Sequence, residues 1–279
     1  MPYRSDLEAR IAKRATQAIT EFNLIEDGDH VLVALSGGKD SWALLQILEE
    51  LRRRAPIRFT LAAVNVDAGQ AGYRHDVVAA ECERRGWPCR VVHTRIADVM
   101  GGLLEPGKTP CSLCARLRRG VLYRVAAEEG ATKIALGHHA DDCLETLLLN
   151  LFFAGSLKAM PARLVSDKDG HVVIRPLVYV AEADTNAYAR ACGFPIVDCC
   201  CPACDDPSMK RQRVKRLILD LEREHPGVKA SMLTALTRVV GSHLLDPALH
   251  PAAGRPGPGE RTTPPRAPDG AAGSGEEEP

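Results

Sequence analysis

The sequence has few aromatic residues, no net charge and no long apolar run. Phe, Trp and Tyr make up 4% of its 279 residues, and 36 Lys and Arg balance 36 Asp and Glu. This composition offers no obvious stacking platform for bases and no global basic field, so any nucleic acid would be held by local basic clusters. No apolar run approaches a membrane span, and residues 1–10 contain no apolar leader. We therefore expect a cytoplasmic protein with no membrane partner.

Ten cysteines stand out in a chain whose first residues show no secretory leader. Cytoplasmic thiols stay reduced, so this number predicts metal ligands and core side chains rather than disulfides. Cysteine packs like a small hydrophobic residue when it lies within an apolar pattern. Four single cysteines fit that description and are predicted to belong to the core: Cys82, Cys89, Cys143 and Cys192.

The remaining cysteines form two groups with metal-ligand spacing. Cys111 and Cys114 are three residues apart at a predicted helix start, and residues 199–201 with Cys204 form the second group. Two cysteine pairs would make a structural Cys₄ zinc site. Fewer protein thiolates than irons would instead hold an iron–sulfur cluster with one iron open for chemistry. Thiolate suits both metals, so the spacing leaves both open.

The centre of the sequence is the stretch 31–41, VLVALSGGKDS, which predicts a buried strand, a tight glycine turn and a helix. Glycine lets the backbone N–H groups approach an anion, and the helix adds its positive N-terminal end. The turn also supplies two hydroxyls, an ammonium group and a carboxylate that can hold Mg²⁺ on a polyphosphate. The spacing is not that of a Walker loop. The predicted anion site comprises Ser36, Gly37, Gly38, Lys39, Asp40 and Ser41. A glycine-rich turn with no ligand is the alternative.

Strand and helix patterns alternate along the chain, which predicts an α/β fold with a mostly parallel, doubly wound sheet. The second predicted strand ends in Asp67, at the edge where such sheets keep their sites. Predicted helices span 5–22, 70–86, 112–130, 140–153, 182–192, 209–224 and 227–240, and a further helix follows the glycine turn to about residue 54. Predicted strands span 58–67, 89–94 and 133–137. A loop is predicted over 100–110 and a short extended segment over 171–177.

The predicted organisation has four parts. Residues 1–27 form an N-terminal helical extension, 28–200 the nucleotide-binding α/β domain, and 201–249 a helical segment that carries a metal-ligand cysteine. Residues 250–279 are rich in Pro, Gly, Ala and charge, with almost nothing to bury, so we predict a disordered C-terminal tail.

A second group of polar residues, GHHADD, follows the strand at 133–137. It lies at the same sheet edge as the glycine turn if the sheet is wound as proposed. One of Asp141 and Asp142 is expected to cap the next helix, and the other to contact metal or substrate. Each histidine by itself is interpreted as structural.

Two runs of basic residues without acids accompany the cysteine groups. Such runs are commonly solvated helix faces, but their position beside cysteines favours a phosphate-bearing macromolecule. The candidate RNA-binding residues are Arg116, Arg119, Lys210, Arg211 and Arg213.

Together these motifs resemble the PP-loop ATP pyrophosphatases and, more closely, the tRNA-cytidine(32) 2-sulfurtransferase family. The resemblance rests on SGGKDS, on CSLC followed by ARLRRG, on GHHADD, and on a late cysteine before a basic helix. SGGKDS by itself would indicate only the superfamily, whereas the CSLC pair with a distant third cysteine indicates the subgroup. The resemblance extends from about residue 15 to about residue 245.

The resemblance implies a Rossmann-like (HUP-type) sheet that binds ATP and Mg²⁺, with Gly137 also at the nucleotide. It implies a [4Fe–4S] cluster held by Cys111, Cys114 and a third cysteine, expected to be Cys204 with Cys201 as its rival. In the implied reaction, O2 of cytidine 32 attacks the α-phosphorus, and sulfur then displaces AMP to leave 2-thiocytidine. Asp40, with Mg²⁺, would steady the pyrophosphate leaving group.

The resemblance further implies catalytic roles for Arg118 and Asp142, which occupy positions where related thiolases place catalytic residues. Its implied partners are tRNA and a sulfur donor such as a cysteine desulfurase. A homodimer is compatible with it, although no motif specifies one.

Two other functions fit the motifs. One is a PP-loop ATP-dependent ligase or amidotransferase with a structural Cys₄ zinc site, acting on a different acceptor. The other is an iron–sulfur redox sensor that binds nucleotide. A colourless, zinc-loaded protein would indicate the first, and a brown protein without thiolation activity would indicate the second.

Overall fold

A six-stranded sheet organises the computed structural model, which describes residues 3–103, 110–166, 170–198 and 209–250. The strand order is β3-β2-β1-β4-β6-β5, and all neighbours pair in parallel except β5 and β6. The strands are β1 (His30–Ala34), β2 (Thr60–Asp67), β3 (Cys89–His93), β4 (Lys133–Ala135), β5 (Arg163–Val165) and β6 (Val172–Ile174).

Helices connect the strands and follow the last of them. They are α1 (Asp6–Glu21), α2 (Lys39–Arg52), α3 (His75–Arg85), α4 (Ile96–Leu103), α5 (Pro110–Glu128), α6 (Ala140–Phe153), α7 (Glu182–Ala191), α8 (Lys210–Glu224) and α9 (Val228–Thr237). Within the described residues, no helix combines the length and apolarity needed to cross a bilayer.

The core lies on both faces of the central strand β1. On one face Leu32 packs with Val64 and Ile134 against the α5 residues Val125 and Ala126. Successive strand residues point to opposite faces, so Val31 and Val33 of β1 turn toward the layer that contains α2. The central strands therefore read as continuous apolar runs, as expected for a sheet covered on both sides.

Helix α2 is buried over most of its length and packs against α7 and α1. Trp42 is fully buried and stacks on Phe194 with ring centroids 5.3 Å apart. Its indole N–H donates to the carbonyl oxygen of Pro195 at 3.0 Å. Because the loop after α7 closes over the first turn of α2, the position of the glycine turn is fixed from two sides.

The structure confirms the predicted mostly parallel, doubly wound sheet, and its largest differences from the predicted elements are at three places. Helix α3 begins at His75 rather than at residue 70, because Gly69 and Gly72 have φ values of +77° and +84°. Helix α4 extends through Leu103, where a loop was predicted from residue 100, because Met100 is buried against Ala68. The exposed edge strand β5 was not predicted.

The single cysteines follow the prediction in part. Cys82 and Cys143 are buried, whereas Cys89 and Cys192 are only half-buried. Burial raises the pKa of the Cys143 thiol to about 12, and a hydrogen bond with Cys89 together with burial raises the pKa of the Cys82 thiol. These cysteines pack as apolar side chains within the fold.

The chain divides into two compact units, Met1–Thr234 and Ala235–Pro279. In the second unit the described residues contain the end of α9 and two short 3₁₀ helices, Gly241–His243 and Pro247–Leu249. The predicted disordered tail lies outside the described residues from position 251 onward.

Candidate active site

A cavity of about 430 Å³ opens at the carboxyl ends of β1 and β4, between the first turn of α2 and the helix α5. Ligands of open α/β sheets bind at this edge, and small-molecule pockets usually measure roughly 300–1,000 Å³. Polar residues that line the cavity include Ser36, Asp40, Ser41, Arg118, Arg119, His138 and Asp142. The structure thus brings together side chains from three of the predicted motifs.

The glycine turn requires glycine at position 37. Gly37 has a φ of +84°, and a Cβ there would lie 3.0 Å from side-chain atoms of both Val78 and Val197. The backbone N–H of Val197 donates to the Gly37 carbonyl at 3.0 Å. Gly38 is then the N-cap of α2, so the first-turn N–H groups of that helix follow the turn directly.

Gly137 allows β4 to approach the start of α2. A Cβ at this position would lie 3.0 Å from the backbone carbon and oxygen of Asp40 and from the backbone nitrogen of Ser41. Those atoms belong to the main chain and cannot rotate away. The sequence therefore needs glycine here for the two halves of the cavity floor to meet.

Donors hold both carboxylate oxygens of Asp40. Lys39 Nζ lies 2.8 Å from Oδ2 and 3.2 Å from Glu182 Oε1, and Thr185 Oγ1 donates to Oδ1 at 2.5 Å. Burial alone would lower the pKa of Lys39, but the carboxylates of Asp40 and Glu182 outweigh it and raise that pKa. Burial likewise opposes ionisation of Glu182, yet Lys215 and Lys39 bring its pKa down to about 2.

The hydroxyl groups of the turn are bonded to one another. Ser36 Oγ donates to Ser41 Oγ at 3.2 Å, and Ser41 Oγ donates to the Gly38 carbonyl at 2.8 Å. The N–H of Gly38 donates back to Ser36 Oγ at 3.3 Å. These contacts preserve the turn conformation without a bound anion.

Two residues that no motif indicated support the same turn. Asn65, fully buried on β2, donates to the Leu35 carbonyl at 2.7 Å and to the Tyr73 hydroxyl at 2.6 Å. The Tyr73 hydroxyl in turn donates to the Ser36 carbonyl at 2.9 Å. The only sequence signal for Tyr73 was its place after two glycines, in a segment interpreted as helix.

Helix α5 forms the opposite wall of the cavity through Ala115, Arg118, Arg119 and Leu122. Arg118 is half-buried, and its Nε is buried with no hydrogen-bond partner among the described residues. An unpaired buried donor on a guanidinium group is costly unless a ligand satisfies it. Arg118 therefore presents free anion-binding capacity to the cavity.

The adjacent carboxylates Asp141 and Asp142 have different roles. Asp142 lines the cavity and accepts a hydrogen bond from the His139 backbone N–H at 3.0 Å, while His139 caps α6 in return. Asp141 is buried beside Lys229 Nζ at 2.6 Å and accepts from the Glu182 N–H at 2.8 Å. Asp141 is thus structural, and the cavity receives Asp142, which also completes the capping box.

His138 lies in the cavity in its neutral form. Burial lowers its pKa to about 4, and the Arg175 guanidinium adds to that effect. Arg175 Nε donates to His138 Nδ1 at 3.2 Å, which identifies that nitrogen as the acceptor. The expectation of a structural histidine therefore fits the helix-capping His139 better than His138.

Comparison with known proteins identifies the family of this chain. Residues 7–222 match the PP-loop domain. The chain is 50% identical over 237 residues to a tRNA-cytidine(32) 2-sulfurtransferase of Geobacter metallireducens, covering 85% of this chain and 92% of the relative. The chain belongs to the tRNA-cytidine(32) 2-sulfurtransferase family. A member from Syntrophotalea carbinolica is 50% identical to this chain over 250 residues, and the match covers 89% of this chain and 96% of the relative.

The fold is also similar to that of a protein whose structure has been solved. The U34-tRNA thiolase NcsA from Methanococcus maripaludis, determined with its [4Fe–4S] cluster, superposes with a TM-score of 0.65. It is 26% identical, and the match covers 84% of this chain and 80% of that chain. The sulfurtransferase family and this thiolase share the PP-loop architecture described above.

The cysteines of the sulfurtransferase motif are described only in part. Cys114 is half-buried on α5, directly before the cavity residue Ala115, and packs beside Ala68 and Met100. Cys111 lies in the first turn of α5, and nothing further is described of its side chain. Cys201 and Cys204 fall outside the described residues. A thiol one helical turn from the unpaired guanidinium of Arg118 fits a site for an anionic cluster.

The candidate RNA-binding residues divide into two groups. Arg116, Arg119 and Arg213 are exposed to solvent. Arg211 and Lys210 are also exposed but contact α6. Arg211 forms an ion pair with the buried Glu145 at 3.1 Å, and Lys210 Nζ lies 4.7 Å from the ring centroid of Phe153. The basic run on α8 therefore serves partly to hold α8 on α6.

Proposed function

We propose that this protein uses ATP to convert cytidine 32 of the tRNA anticodon loop to 2-thiocytidine. The proposal is supported above all by one observation: a chain half identical to sulfurtransferases of that name has its glycine turn, Asp142 and the unpaired Arg118 on a single cavity. Thiolation needs an activated base oxygen and a sulfur source side by side. The two walls of the cavity would supply a place for each.

The α2 wall would hold the nucleotide. The backbone N–H groups at the start of α2, with Ser36 and Ser41, are suited to a triphosphate, and Gly137 keeps the floor open to it. Asp40 would hold Mg²⁺ through its carboxylate, and a bound phosphate would offer Lys39 a competing anion. The α-phosphorus would then lie within the cavity for attack by O2 of the base.

The α5 wall would hold the sulfur source. Cys114 with Cys111 and Cys204 would bind a [4Fe–4S] cluster, whose chemistry would be to carry sulfide from the sulfur donor to the site. Arg118 would stabilise negative charge that develops on the reacting groups, because its buried Nε has no competing partner in the described structure. Asp142, held by the His139 N–H, would accept a hydrogen bond from the target nucleoside.

Exposed cations around the cavity would hold the tRNA. Arg119 lines the cavity and is exposed to solvent. Arg116, on the same helix, and Arg213, on α8, are exposed as well. Backbone phosphate contacts of this kind position an RNA without reading its sequence. Each such contact adds to the salt dependence of binding.

The test is nucleoside mass spectrometry of tRNA from cells that lack the gene. We expect 2-thiocytidine to disappear and to return on complementation with the wild-type gene, but not with Cys114→Ala. An unchanged 2-thiocytidine level in the deletion strain would refute the proposal. A purified protein that is colourless with stoichiometric zinc would favour the ligase alternative instead.

A further inference from the structure

A second group of chemically reactive side chains lies at the same sheet edge, outside the cavity. Asp67 is the last residue of β2, His93 the last of β3, and His75 the first of α3. One ligand atom from each of these residues lies within 4.8 Å of the others. Three separate elements therefore converge on one point with two imidazoles and a carboxylate.

The distances match the spacing of ligands around a metal ion. Asp67 Oδ2 lies 3.1 Å from His75 Nδ1 and 3.1 Å from His93 Nδ1. Zinc binds nitrogen and oxygen at about 2.0–2.2 Å, so neighbouring ligand atoms of a tetrahedron lie roughly 3.3 Å apart. The two imidazole rings meet edge to face with centroids 4.6 Å apart, which leaves both Nδ1 atoms near the same carboxylate oxygen.

Hydrogen bonding within the protein accounts for only part of this group. The Gly69 N–H donates to Asp67 Oδ1 at 2.9 Å and so orients the carboxylate with Oδ2 toward the histidines. His93 Nδ1 forms a hydrogen bond to that oxygen. His75 Nδ1 is buried and has no hydrogen bond among the described residues despite the short distance. A buried imidazole nitrogen without a hydrogen bond can ligate a cation when the ring proton is on Nε2.

The group is separate from the cavity and open to solvent on one side. Val66 lines the cavity, and Asp67, the next residue of the strand, points to the opposite face of the sheet. The Asp67 side chain is 13% exposed and that of His93 is 64% exposed. An ion could enter from solvent and keep water in its remaining coordination positions.

We propose that Asp67, His75 and His93 bind a divalent transition-metal cation of the zinc type, independently of the cysteines and of the proposed thiolation. Two imidazoles and one carboxylate suit this class better than Mg²⁺ or Ca²⁺, which prefer oxygen ligands. The ion joins the ends of β2 and β3 to the start of α3. It also fixes the segment 68–74, whose Tyr73 hydroxyl supports the turn at Ser36.

The test uses the full-length holoprotein, prepared anaerobically and equilibrated with Zn²⁺ at a fixed free concentration. Zinc per chain is measured for the wild type, for His93→Gln and for His225→Gln, a control that changes an exposed histidine at the end of α8. We expect His93→Gln to lose about one equivalent of zinc and the control to lose none.

X-ray absorption at the zinc edge then identifies the ligands, and the iron of a cluster does not interfere. The zinc lost in His93→Gln should have nitrogen and oxygen neighbours at about 2.0–2.2 Å, whereas cysteine sulfur would appear near 2.3 Å. Equal zinc contents in the wild type and His93→Gln, or a first shell of sulfur alone, would overturn the proposal. His75→Gln provides a second variant with the same expected loss.

Discussion

The two walls of the cavity differ in how their polar groups are satisfied. On the α2 wall, Ser36 and Ser41 bond to each other, and Lys39 and Thr185 occupy both oxygens of Asp40. On the α5 wall, the buried Nε of Arg118 has no hydrogen-bond partner within the described ranges. The polar groups of one wall are paired within the protein, and the other wall has a buried donor with no partner among the described residues.

The α2 wall is therefore preorganised for its ligand, whereas the α5 wall has a buried donor that a bound anion would pair. A turn whose hydroxyls and carboxylate are already held loses little entropy when it binds a phosphate, so it is suited to repeated nucleotide binding. An unpaired guanidinium is costly at rest but strengthens any anion contact that forms in its low-dielectric surroundings. Nucleotide affinity should therefore depend on the α2 wall, and turnover on the α5 wall.

The most severe separation should come from Cys114→Ala, which removes a proposed cluster ligand from the α5 wall. We expect thiolation to fall by at least about 1,000-fold, the scale on which a reacting group is lost, with ATP affinity nearly unchanged. Anaerobic assays of 2-thiocytidine formation and calorimetric ATP titration measure the two effects. The matched control is Cys192→Ala, a half-buried cysteine after α7 that should retain activity. Normal thiolation by Cys114→Ala would show that the reaction does not require Cys114.

Gly137→Ala should produce the opposite separation, by displacing the α2 wall. The added Cβ would lie 3.0 Å from main-chain atoms of Asp40 and Ser41, and overpacking of this kind costs about 1–3 kcal/mol. We expect ATP affinity to fall roughly 10- to 100-fold. In Gly120→Ala, on α5, the new methyl group has no atom within 4 Å, and that variant should bind ATP normally. Equal affinities for the two variants would show that the close approach is unimportant.

Arg118→Lys tests whether the α5 wall needs a guanidinium group rather than a positive charge. Lysine keeps the charge but loses the planar donor set, so we expect kcat to fall about 10- to 30-fold while ATP affinity stays within about twofold. Arg124→Lys, on the surface of the same helix beside Glu128, is the control. A loss confined to ATP binding would assign Arg118 to the nucleotide side and contradict the comparison.

Thr185→Val should weaken the α2 wall slightly. The substitution removes the hydroxyl that donates to Asp40 Oδ1 and leaves the volume of the fully buried side chain almost unchanged. We expect ATP affinity to fall about fivefold, corresponding to one hydrogen bond of about 1 kcal/mol, and Thr185→Ser to restore it. Failure of the serine variant to rescue would mean that packing, not the hydroxyl, positions Asp40.

His138, which follows β4 between the two walls, should make the free energy of unfolding depend on pH. Burial lowers its pKa from 6.5 to about 4, so the unfolded chain takes up the proton first as the pH falls. This contribution is complete above pH 6.5 and is lost toward pH 4, by at most about 3 kcal/mol in the free energy of unfolding. Urea unfolding in steps from pH 7.5 to pH 5 should give a smaller slope for His138→Gln than for the wild type. Parallel slopes would show that His138 is not held neutral.

The sequence predicts the parts of this structure that local patterns determine. The apolar run before Ser36–Ser41 and the leucines after it identify strand, turn and helix within twenty-odd residues. The same local pattern predicts α6, whose observed limits, Ala140–Phe153, equal the predicted ones. Strand–helix alternation predicted a mostly parallel, doubly wound sheet, and the structure confirms that arrangement, while the strand order is known only from the structure.

The remaining features depend on contacts between distant positions. Only the ion pair between Lys229 on α9 and Asp141 on α6 shows that Asp141 is neutralised, which leaves Asp142 for the cavity. Thr185 reaches Asp40 across 145 positions, and no local pattern indicates that contact. The convergence of His75 with Asp67 needed the late start of α3, which the helical prediction from residue 70 had concealed.

The two walls would carry two consecutive steps, activation of the base by ATP and replacement of the activated oxygen by sulfur. The most direct measurement is the ratio of AMP to 2-thiocytidine formed by anaerobic holoenzyme with ATP, tRNA and sulfide. We predict one AMP for each 2-thiocytidine and no AMP without tRNA. Thiolation without AMP formation, or release of ADP in its place, would contradict the account.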